Sequence, residues 1–193
     1  EGVELLCDCQ QQLPDSALVG SNRLLYLHYL PEVTAQQLYD EHRRWALKHA
    51  PAELAMQKHD NVPNPNRRLR VGYISSDFRE HSVTYFFETL LDNHNRQELE
   101  VYGYANISNP DTITKRLDEK FDYCRNILGL SDKQVAEMIV KDRIDILVDL
   151  SGHTAGNRLP ALAYKPAPVQ VTYLGYPDTT GMEQVDYRLT DEL

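Results

Sequence analysis

Short apolar runs alternate with helix-like segments along most of the chain after residue 68. The clearest run, residues 144–150, consists mainly of Ile, Leu and Val, as is typical of a strand covered on both faces of a parallel sheet. Further strand-like runs lie at 69–74, 99–104, 123–125, 169–174 and 185–189, with helix-like segments at 82–91, 112–120, from 131 onward and at 159–164. Because alternating strands and helices build right-handed βαβ units, we predict an α/β fold with a doubly wound, mostly parallel sheet.

The helix-like segments carry start signals and apolar faces. Ser131 and Gln134 form a capping box, in which each side chain can bond the other residue's backbone N–H, and this predicts a helix start. In the segment at 82–91, four apolar side chains are expected to face the core: Phe86, Phe87, Leu90 and Leu91.

The first 60 residues lack a strand pattern and are predicted to be helical. After a capping box at Thr34 and Gln37, an apolar stripe follows that is predicted to be a docking face: Leu38, His42, Trp45, Ala46 and His49. Its two histidines are predicted to be packed or half-exposed rather than a ligand pair. Residues 61–68 hold two prolines and three asparagines, which cannot continue a helix. We therefore predict a helical connector over residues 1–62 and the main domain over residues 63–193.

Composition and charge exclude several classes of partner. The formal net charge of -9 disfavours a phosphate backbone, so nucleic acid is not expected as a partner. The sequence has no apolar run of transmembrane length and no signal-peptide pattern in residues 1–10, so no membrane partner is expected. Cys7, Cys9 and Cys124 are predicted to be reduced thiols in a cytoplasmic protein. The chain is also expected to be a fragment, because it opens in what reads as mid-helix.

Polar loops follow three of the predicted strands, at residues 75–81, 151–156 and 175–181. The carboxyl ends of parallel strands meet at one rim of the sheet, where ligands of open α/β folds bind. The loops bring these side chains to that rim: Asp77, His81, Ser151, His153, Thr154, Tyr176, Thr179 and Thr180. Hydroxyls and imidazoles with few charges favour a neutral polyhydroxylated ligand, and no cluster has convincing metal-ligand spacing. The alternative is that the glycines and serines of these loops serve only backbone geometry.

His81 directly precedes the predicted helix at 82–91. The partial positive charge of a helix N-terminus favours a neutral imidazole, which can accept a proton or a hydrogen bond from an acceptor hydroxyl. The alternative is that His81 only caps or packs at the helix start. His153 carries a similar alternative, because side chains in turns often point away from a site.

Several common catalytic signatures are absent from the sequence. It contains no Walker loop and no G-x-G-x-x-G after the first predicted strand, which disfavours phosphoryl transfer and ordinary NAD binding. It also contains no G-x-S-x-G elbow, which removes the best signal for an α/β-hydrolase.

Four segments in order resemble the catalytic region of O-GlcNAc transferase-type and plant SPINDLY-like glycosyltransferases. They are LRVGYISSDF at 69–78 followed by His81, DILVDLSGHT at 145–154, PAPVQV at 166–171, and LGYPDTTG at 174–181 with VDY at 185–187. The segment EHRRWA at 41–46 is also similar to the connector that precedes this region in bacterial members, after their tetratricopeptide repeats. An alternative for residues 1–62 is therefore the end of such a repeat region.

The resemblance implies a GT-B architecture, in which two Rossmann-like halves enclose a nucleotide sugar and no metal or other cofactor is required. This chain would be the N-terminal half, and the C-terminal half, which makes most nucleotide contacts, would be a missing partner. The implied reaction transfers GlcNAc from UDP-GlcNAc to Ser or Thr hydroxyls of protein or peptide acceptors. His81 matches a histidine discussed as a candidate base. Substrate contacts are expected from Asp77, Ser151, Gly152, His153, Thr154, Tyr176, Pro177, Thr179 and Thr180.

Three alternatives to this function stay open. SPINDLY-type members transfer fucose, so O-fucosyl transfer is one alternative. A non-catalytic domain that binds peptide, or serves as a scaffold, is the second, and an enzyme similar to nucleotide-sugar epimerases is the third. Animal enzymes carry Asn and Tyr where this chain has Ser151 and His153, which affects the expected contacts at these two positions. The isolated chain is expected to fold and to transfer little or no sugar.

Overall fold

The computed structural model describes residues 2–56, 58–64 and 66–191, without the side chains of residues 2–4, 6 and 7. Its N-terminal part is helical, as predicted, with α1 (Gly2–Gln12), α2 (Ala17–Leu27), α3 (Ala35–His49) and a 3-10 turn at Ala52–Leu54. Cys9 and Cys124 are free thiols, whereas the predicted thiol of Cys7 lies outside the described side chains.

The sheet forms from the strand-like runs that the sequence predicts. Its strands are β1 (Leu69–Ser75), β2 (Leu99–Ala105), β3 (Tyr123–Asn126), β4 (Ile146–Asp149), β5 (Val169–Tyr173) and β6 (Tyr187–Leu189). The helices between them are α4 (Ser82–Asp92), α5 (Thr112–Asp118), α6 (Asp132–Lys141) and α7 (Leu159–Leu162). In the described residues the sheet has six strands in the order β3-β2-β1-β4-β5-β6, and each neighbouring pair is parallel. The predicted fold class is confirmed, and the strand order reverses between β1 and β4.

Strand β4 is shorter than the strand predicted at 144–150. Ile144 and Leu150 lie outside its bounds but are fully buried. Between Ile144 and the strand, the Asp145 carboxylate accepts hydrogen bonds from the backbone N–H of Arg70 at 2.9 Å and from the guanidinium of Arg67 at 2.7 Å. This carboxylate therefore fastens the segment before β1 to the amino end of β4.

Two hydrophobic clusters cover the two faces of the sheet. Successive residues of a strand point to opposite faces, and in β1 Tyr73 belongs to one cluster whereas Ile74 belongs to the other. The cluster with Tyr73 includes residues of α4 and α5, and the cluster with Ile74 includes residues of α2, α3, α6 and α7. The sheet is thus covered by helices on both faces, and the connector supplies part of one cover.

The buried face of α4 differs from the one that the sequence predicts. Phe87 and Leu91 are fully buried and Leu90 is partly buried, as expected, but Phe86 is 66% exposed. The prediction that Phe86 faces the core is wrong. The buried row of α4 follows i, i+4 spacing through Val83, Phe87 and Leu91. Because successive helix residues are rotated by about 100° around the axis, the neighbour of Phe87 points elsewhere. Phe86 therefore lies off the buried row.

The predicted docking face of α3 packs against the sheet domain. Both members of the Thr34 capping box are present, and His42, Trp45 and Ala46 are buried. The Trp45 indole N–H donates to the Ala17 carbonyl at 3.0 Å. One hydrophobic cluster contains residues from both sides of the predicted boundary between residues 62 and 63. The division into two domains at this boundary stays a prediction.

We predict opposite outcomes for the two adjacent phenylalanines of α4. Phe87→Ala should lower the free energy of unfolding by about 3–5 kcal/mol, because it leaves a cavity under a fully buried ring. Phe86→Ala should change it by no more than about 0.5 kcal/mol, because that ring is largely exposed. Urea unfolding of the two variants measures both values. Equal losses would contradict the assignment of the buried face.

Candidate functional site

The loops after β1 and β4 face each other where the strand order reverses, which is the position at which open α/β sheets bind ligands. The Ser76 hydroxyl donates to the Ala155 carbonyl at 2.9 Å. Gly156 has a φ of +75°, and a Cβ added there would lie 2.8 Å from the Ser76 Cβ. Glycine at this position therefore allows the two loops to approach each other closely.

A third loop, which the sequence reasoning did not include, completes this rim. Asn106 follows β2, and its side-chain amide donates to the Gly156 carbonyl at 2.8 Å while its backbone N–H donates to the Ser75 carbonyl at 2.9 Å. The loop was missed because it lacks histidines and glycines. The rule that carboxyl ends of parallel strands share a rim would have included it, since β2 was predicted.

These loops enclose an open cavity of about 520 Å³. Its polar lining includes Ser76, Asp77, Arg79, Glu80, Asn106 and Asn109. Hydroxyl, amide, carboxylate and guanidinium groups all reach this space, so it can form several hydrogen bonds with a polar ligand. Of the predicted site residues, Asp77 lies in the lining, and His81 lies next to it in sequence, one residue beyond Glu80.

His81 is the N-cap residue of α4. Its Nδ1 accepts a hydrogen bond from the backbone N–H of Val83 at 3.3 Å and lies 3.9 Å from an Asp77 carboxylate oxygen. A neutral imidazole carries a proton on only one nitrogen, so if Nδ1 accepts a hydrogen bond, the proton is on Nε2. While the cap is formed, the Nε2–H of neutral His81 can therefore donate a hydrogen bond to a ligand but cannot accept a proton there.

The Asp77 carboxyl is fixed beside His81. It is 7% exposed, and the Arg79 guanidinium contacts one of its oxygens at 3.4 Å. The Asp77 backbone N–H donates to the Ser75 hydroxyl at 2.9 Å, and its carbonyl accepts from the Thr84 hydroxyl at 2.7 Å. These contacts join the end of β1 to the first turn of α4 and set the position of His81.

The loop after β4 is shaped by Asp149, a residue that the sequence reasoning did not select for the site. Its carboxylate is buried and accepts from the backbone N–H groups of Ser151 at 3.1 Å and Gly152 at 2.8 Å, and from the Thr172 hydroxyl at 2.9 Å. Burial raises the pKa of the Asp149 carboxyl, and these hydrogen bonds act in the opposite direction. Gly152 has a φ of +54° directly beneath Tyr176.

Ser151 and Thr154 are held within the same loop. The Thr154 hydroxyl donates to the Ser151 carbonyl at 2.8 Å. The Ser151 hydroxyl oxygen is buried and has no hydrogen-bond partner among the described residues. Its backbone is therefore fixed, whereas its side-chain hydroxyl retains an unused bonding capacity.

His153 is fully buried and points away from the rim, toward the connector. Its Nε2–H donates to the Thr180 carbonyl at 3.0 Å, so its Nδ1 accepts from the Ser21 hydroxyl at 3.0 Å. Its ring stands perpendicular to that of Trp45 with centroids 4.6 Å apart. Burial lowers the pKa of His153 to about 3, so the ring is neutral at pH 7. Both ring nitrogens therefore form hydrogen bonds within the protein. The side chain points away from the rim, which was the alternative considered for His153.

The loop at 175–181 also faces the connector. Tyr176 is buried, with its phenol oxygen 2.8 Å from His42 Nε2 and 3.1 Å from His28 Nε2. The hydroxyls of Thr179 and Thr180 accept backbone N–H groups of their own loop, at 3.0 and 3.3 Å. Pro177 is exposed. The structure thus brings the loops after β1, β2 and β4 together at the cavity, and it sets this last loop against the helices.

None of the helices in the described part of the chain combines the length and the apolar character that a membrane span requires.

We predict that His153 makes the fold sensitive to acid. Its folded-state pKa of about 3 lies below the ordinary value of 6.5, so its contribution to stability is present above pH 6.5 and is lost as pH falls toward 3. His153→Gln should lower stability at neutral pH yet flatten the decline across this window. Urea midpoints above and within the window measure this slope. His59→Gln is the control: burial also lowers the pKa of this less buried histidine, but without a large shift, so its substitution should flatten the decline less. An unchanged slope in His153→Gln would contradict the assignment.

Comparison with known proteins places this geometry in a family. The chain is 42% identical over 184 residues to the probable UDP-N-acetylglucosamine–peptide N-acetylglucosaminyltransferase SPINDLY of Arabidopsis thaliana, covering 93% of this chain and 20% of that protein. The corresponding SEC protein of Arabidopsis thaliana is 39% identical over 127 residues, covering 65% of this chain and 13% of that protein. Both proteins are therefore several times longer than the stretch that matches.

A solved structure agrees with the fold as well. A mutant of the Thermobaculum terrenum O-GlcNAc transferase superposes with a TM-score of 0.94 at 38% identity, covering 99% of this chain and 37% of that chain. The model of glycosyl transferase family 41 matches residues 43–193. The resemblance drawn from the four sequence segments is confirmed: the chain belongs to glycosyl transferase family 41, the family of the O-GlcNAc transferases and SPINDLY.

Proposed function

We propose that this chain is the N-terminal half of the catalytic region of a protein O-glycosyltransferase, which transfers GlcNAc from UDP-GlcNAc to Ser or Thr hydroxyls. The observation that carries the proposal is the polar cavity at the strand-order reversal, lined by the loops after β1, β2 and β4 in a member of this family. The two plant relatives bear the name of probable UDP-N-acetylglucosamine–peptide N-acetylglucosaminyltransferases, which supports this donor and a peptide acceptor.

In the proposed reaction, the acceptor oxygen forms a bond to the sugar's anomeric carbon as the bond from that carbon to the nucleotide's phosphate oxygen breaks and UDP leaves with the electron pair. The proton of the acceptor hydroxyl passes to a phosphate oxygen of the leaving UDP or to solvent. This chain contributes one wall of the cleft, which orients the acceptor oxygen against that carbon. Orientation of this kind can supply up to about 7–11 kcal/mol in ideal geometry. The fixed loops around Asp77 and Asn106 support such a role, because they are tied to the sheet through hydrogen bonds.

We propose that His81 is a catalytic residue that acts through its Nε2–H. The cap on Val83 occupies Nδ1, so the outer nitrogen is a donor that can bond a phosphate oxygen of the leaving nucleotide as that oxygen gains charge. This role differs from that of a general base, which would require the cap hydrogen bond to break first. Asp77, 3.9 Å away, helps to fix the ring's position.

Substitution of His81 can separate the cap from the chemistry. Asparagine is a good N-cap, so His81→Asn should leave the free energy of unfolding within about 0.5 kcal/mol. In the full-length enzyme that contains this chain, the same change should lower kcat for peptide glycosylation by about 100-fold or more. Turnover that stays within a few-fold of the original would contradict a catalytic role for His81.

The donor is tested by direct comparison. The full-length enzyme should transfer sugar from UDP-GlcNAc to an acceptor peptide, and mass spectrometry of the peptide identifies the sugar added. Efficient transfer from GDP-fucose instead would support the O-fucosyl alternative. That alternative is retained because the match to SPINDLY covers more of this chain than the match to SEC, 93% against 65%.

The proposal that this chain forms only half of the catalytic site can be tested with the isolated chain. The isolated 193 residues should fold but release little or no UDP from UDP-GlcNAc, because one wall of a two-walled cleft orients only part of the substrate pair. A coupled assay for UDP release measures this, with the full-length enzyme as control. Robust turnover by the isolated chain would contradict the proposal that it is half of the catalytic region.

A further inference from the structure

Side chains from three separate elements converge where the connector meets the loop after β5. His28 directly follows α2, His42 lies on α3, and Asp178 lies in the loop, and one ligand atom from each lies within 4.8 Å of the others. The phenol oxygen of Tyr176 lies between the two imidazoles, 2.8 Å from His42 Nε2 and 3.1 Å from His28 Nε2. We call these four residues the seam cluster.

The spacing of the seam cluster fits a tetrahedral ion. Bonds of about 2.0–2.1 Å to a tetrahedral zinc ion place neighbouring ligand atoms about 3.3 Å apart. Three separations in the seam cluster lie near this value: 2.8 and 3.1 Å to the Tyr176 oxygen, and 3.7 Å between His28 Nε2 and an Asp178 oxygen. The ligand atoms of the two histidines and Asp178 all lie within 4.8 Å of one another. Small side-chain movements would bring such an ion within bonding distance of each atom.

His42 has the tautomer that a metal ligand requires. Its Nδ1 lies 2.6 Å from the Leu38 carbonyl, which can only accept, so Nδ1 carries the proton and Nε2 directs its lone pair into the seam cluster. Metal-bound histidines commonly donate their second nitrogen to a backbone carbonyl in this way. Burial also lowers the pKa of His42, which favours the neutral ring that binds metals.

Asp178 supplies a carboxylate that is partly oriented. One of its oxygens accepts from the backbone N–H of Thr179 at 2.6 Å, and the other faces His28 at 3.7 Å. His28 and Asp178 are half-buried, whereas His42 is buried, so an ion can enter from the solvent side. Two neutral imidazoles and one carboxylate carry one negative charge together, which favours the binding of a divalent cation.

We propose that the seam cluster binds a divalent transition-metal cation of the zinc type. The ligands are Nε2 of His28, Nε2 of His42, a carboxylate oxygen of Asp178 and the phenol oxygen of Tyr176. Imidazole nitrogens with a carboxylate suit Zn²⁺, Co²⁺ or Ni²⁺ rather than Mg²⁺ or Ca²⁺, which prefer shells of oxygen ligands. The ion would join both connector helices to the loop after β5, a stabilising role independent of sugar transfer.

Binding rearranges the protons of the seam cluster. Without the ion, the Tyr176 hydroxyl donates to His42 Nε2, and the Nε2–H of His28 donates to the Tyr176 oxygen. With the ion, both histidines present Nε2 lone pairs, so the His28 proton moves to Nδ1. The Tyr176 proton stays on a neutral phenol ligand or leaves to solvent as the phenolate forms.

The test uses the 193-residue chain, purified without a histidine tag and stripped of metal. Titration with Co²⁺ should give the visible absorption of a tetrahedral site at one ion per chain, and Zn²⁺ should displace it. Zn²⁺ at about 100 times its Kd should raise Tm by about 5–10 °C. His28→Gln and Asp178→Asn, at half-buried positions, should each weaken Zn²⁺ binding by about 10-fold or more.

Matched variants outside the seam cluster make the test decisive. His59→Gln and Cys9→Ser should keep the original affinity, because neither residue belongs to the seam cluster and a thiol is the commonest competing zinc ligand. Absence of one-to-one binding tighter than about 100 µM would overturn the proposal. So would binding that survives both His28→Gln and Asp178→Asn, or binding that is lost in Cys9→Ser.

Discussion

The buried carboxylate of Asp149 holds together the end of β4, the loop that follows it and the neighbouring strand β5. It lies fully buried at the end of a central strand, where an unpaired charge would be strongly destabilising. The backbone N–H groups of Ser151 and Gly152 and the hydroxyl of Thr172 compensate for the lost water. Because these donors belong to the following loop and to β5, one side chain fixes the turn after β4 and the alignment of two strands.

This turn has two sides with different roles. Its later residues, around Gly156, meet Ser76 and Asn106 and close one side of the polar cavity. Its His153 side chain extends the opposite way and bonds Ser21 of α2. The loop therefore contacts both the rim of the sheet and the connector.

Residue patterns were sufficient for the fold and for part of the site. Alternating apolar runs predicted the strands, and capping boxes at Thr34 and Ser131 placed helix starts, because these features depend on neighbours three or four residues away. The direction of His153 depends on distant partners, Ser21 and Thr180, which local spacing does not reveal. The same limit concealed the seam cluster, because Asp178 lies 136 residues after His42 and 150 residues after His28 in the sequence.

His81 shows how a fold can select the chemistry of a candidate site residue. A histidine at an N-cap uses Nδ1 for the helix, which leaves Nε2 as the atom that can meet a substrate and fixes the proton on it. Helix α4 thus converts a residue with two possible roles into a hydrogen-bond donor, without any contribution from a ligand. A donor at this position would complement negative charge developing on oxygen, and the chain would not need His81 to remove the acceptor proton.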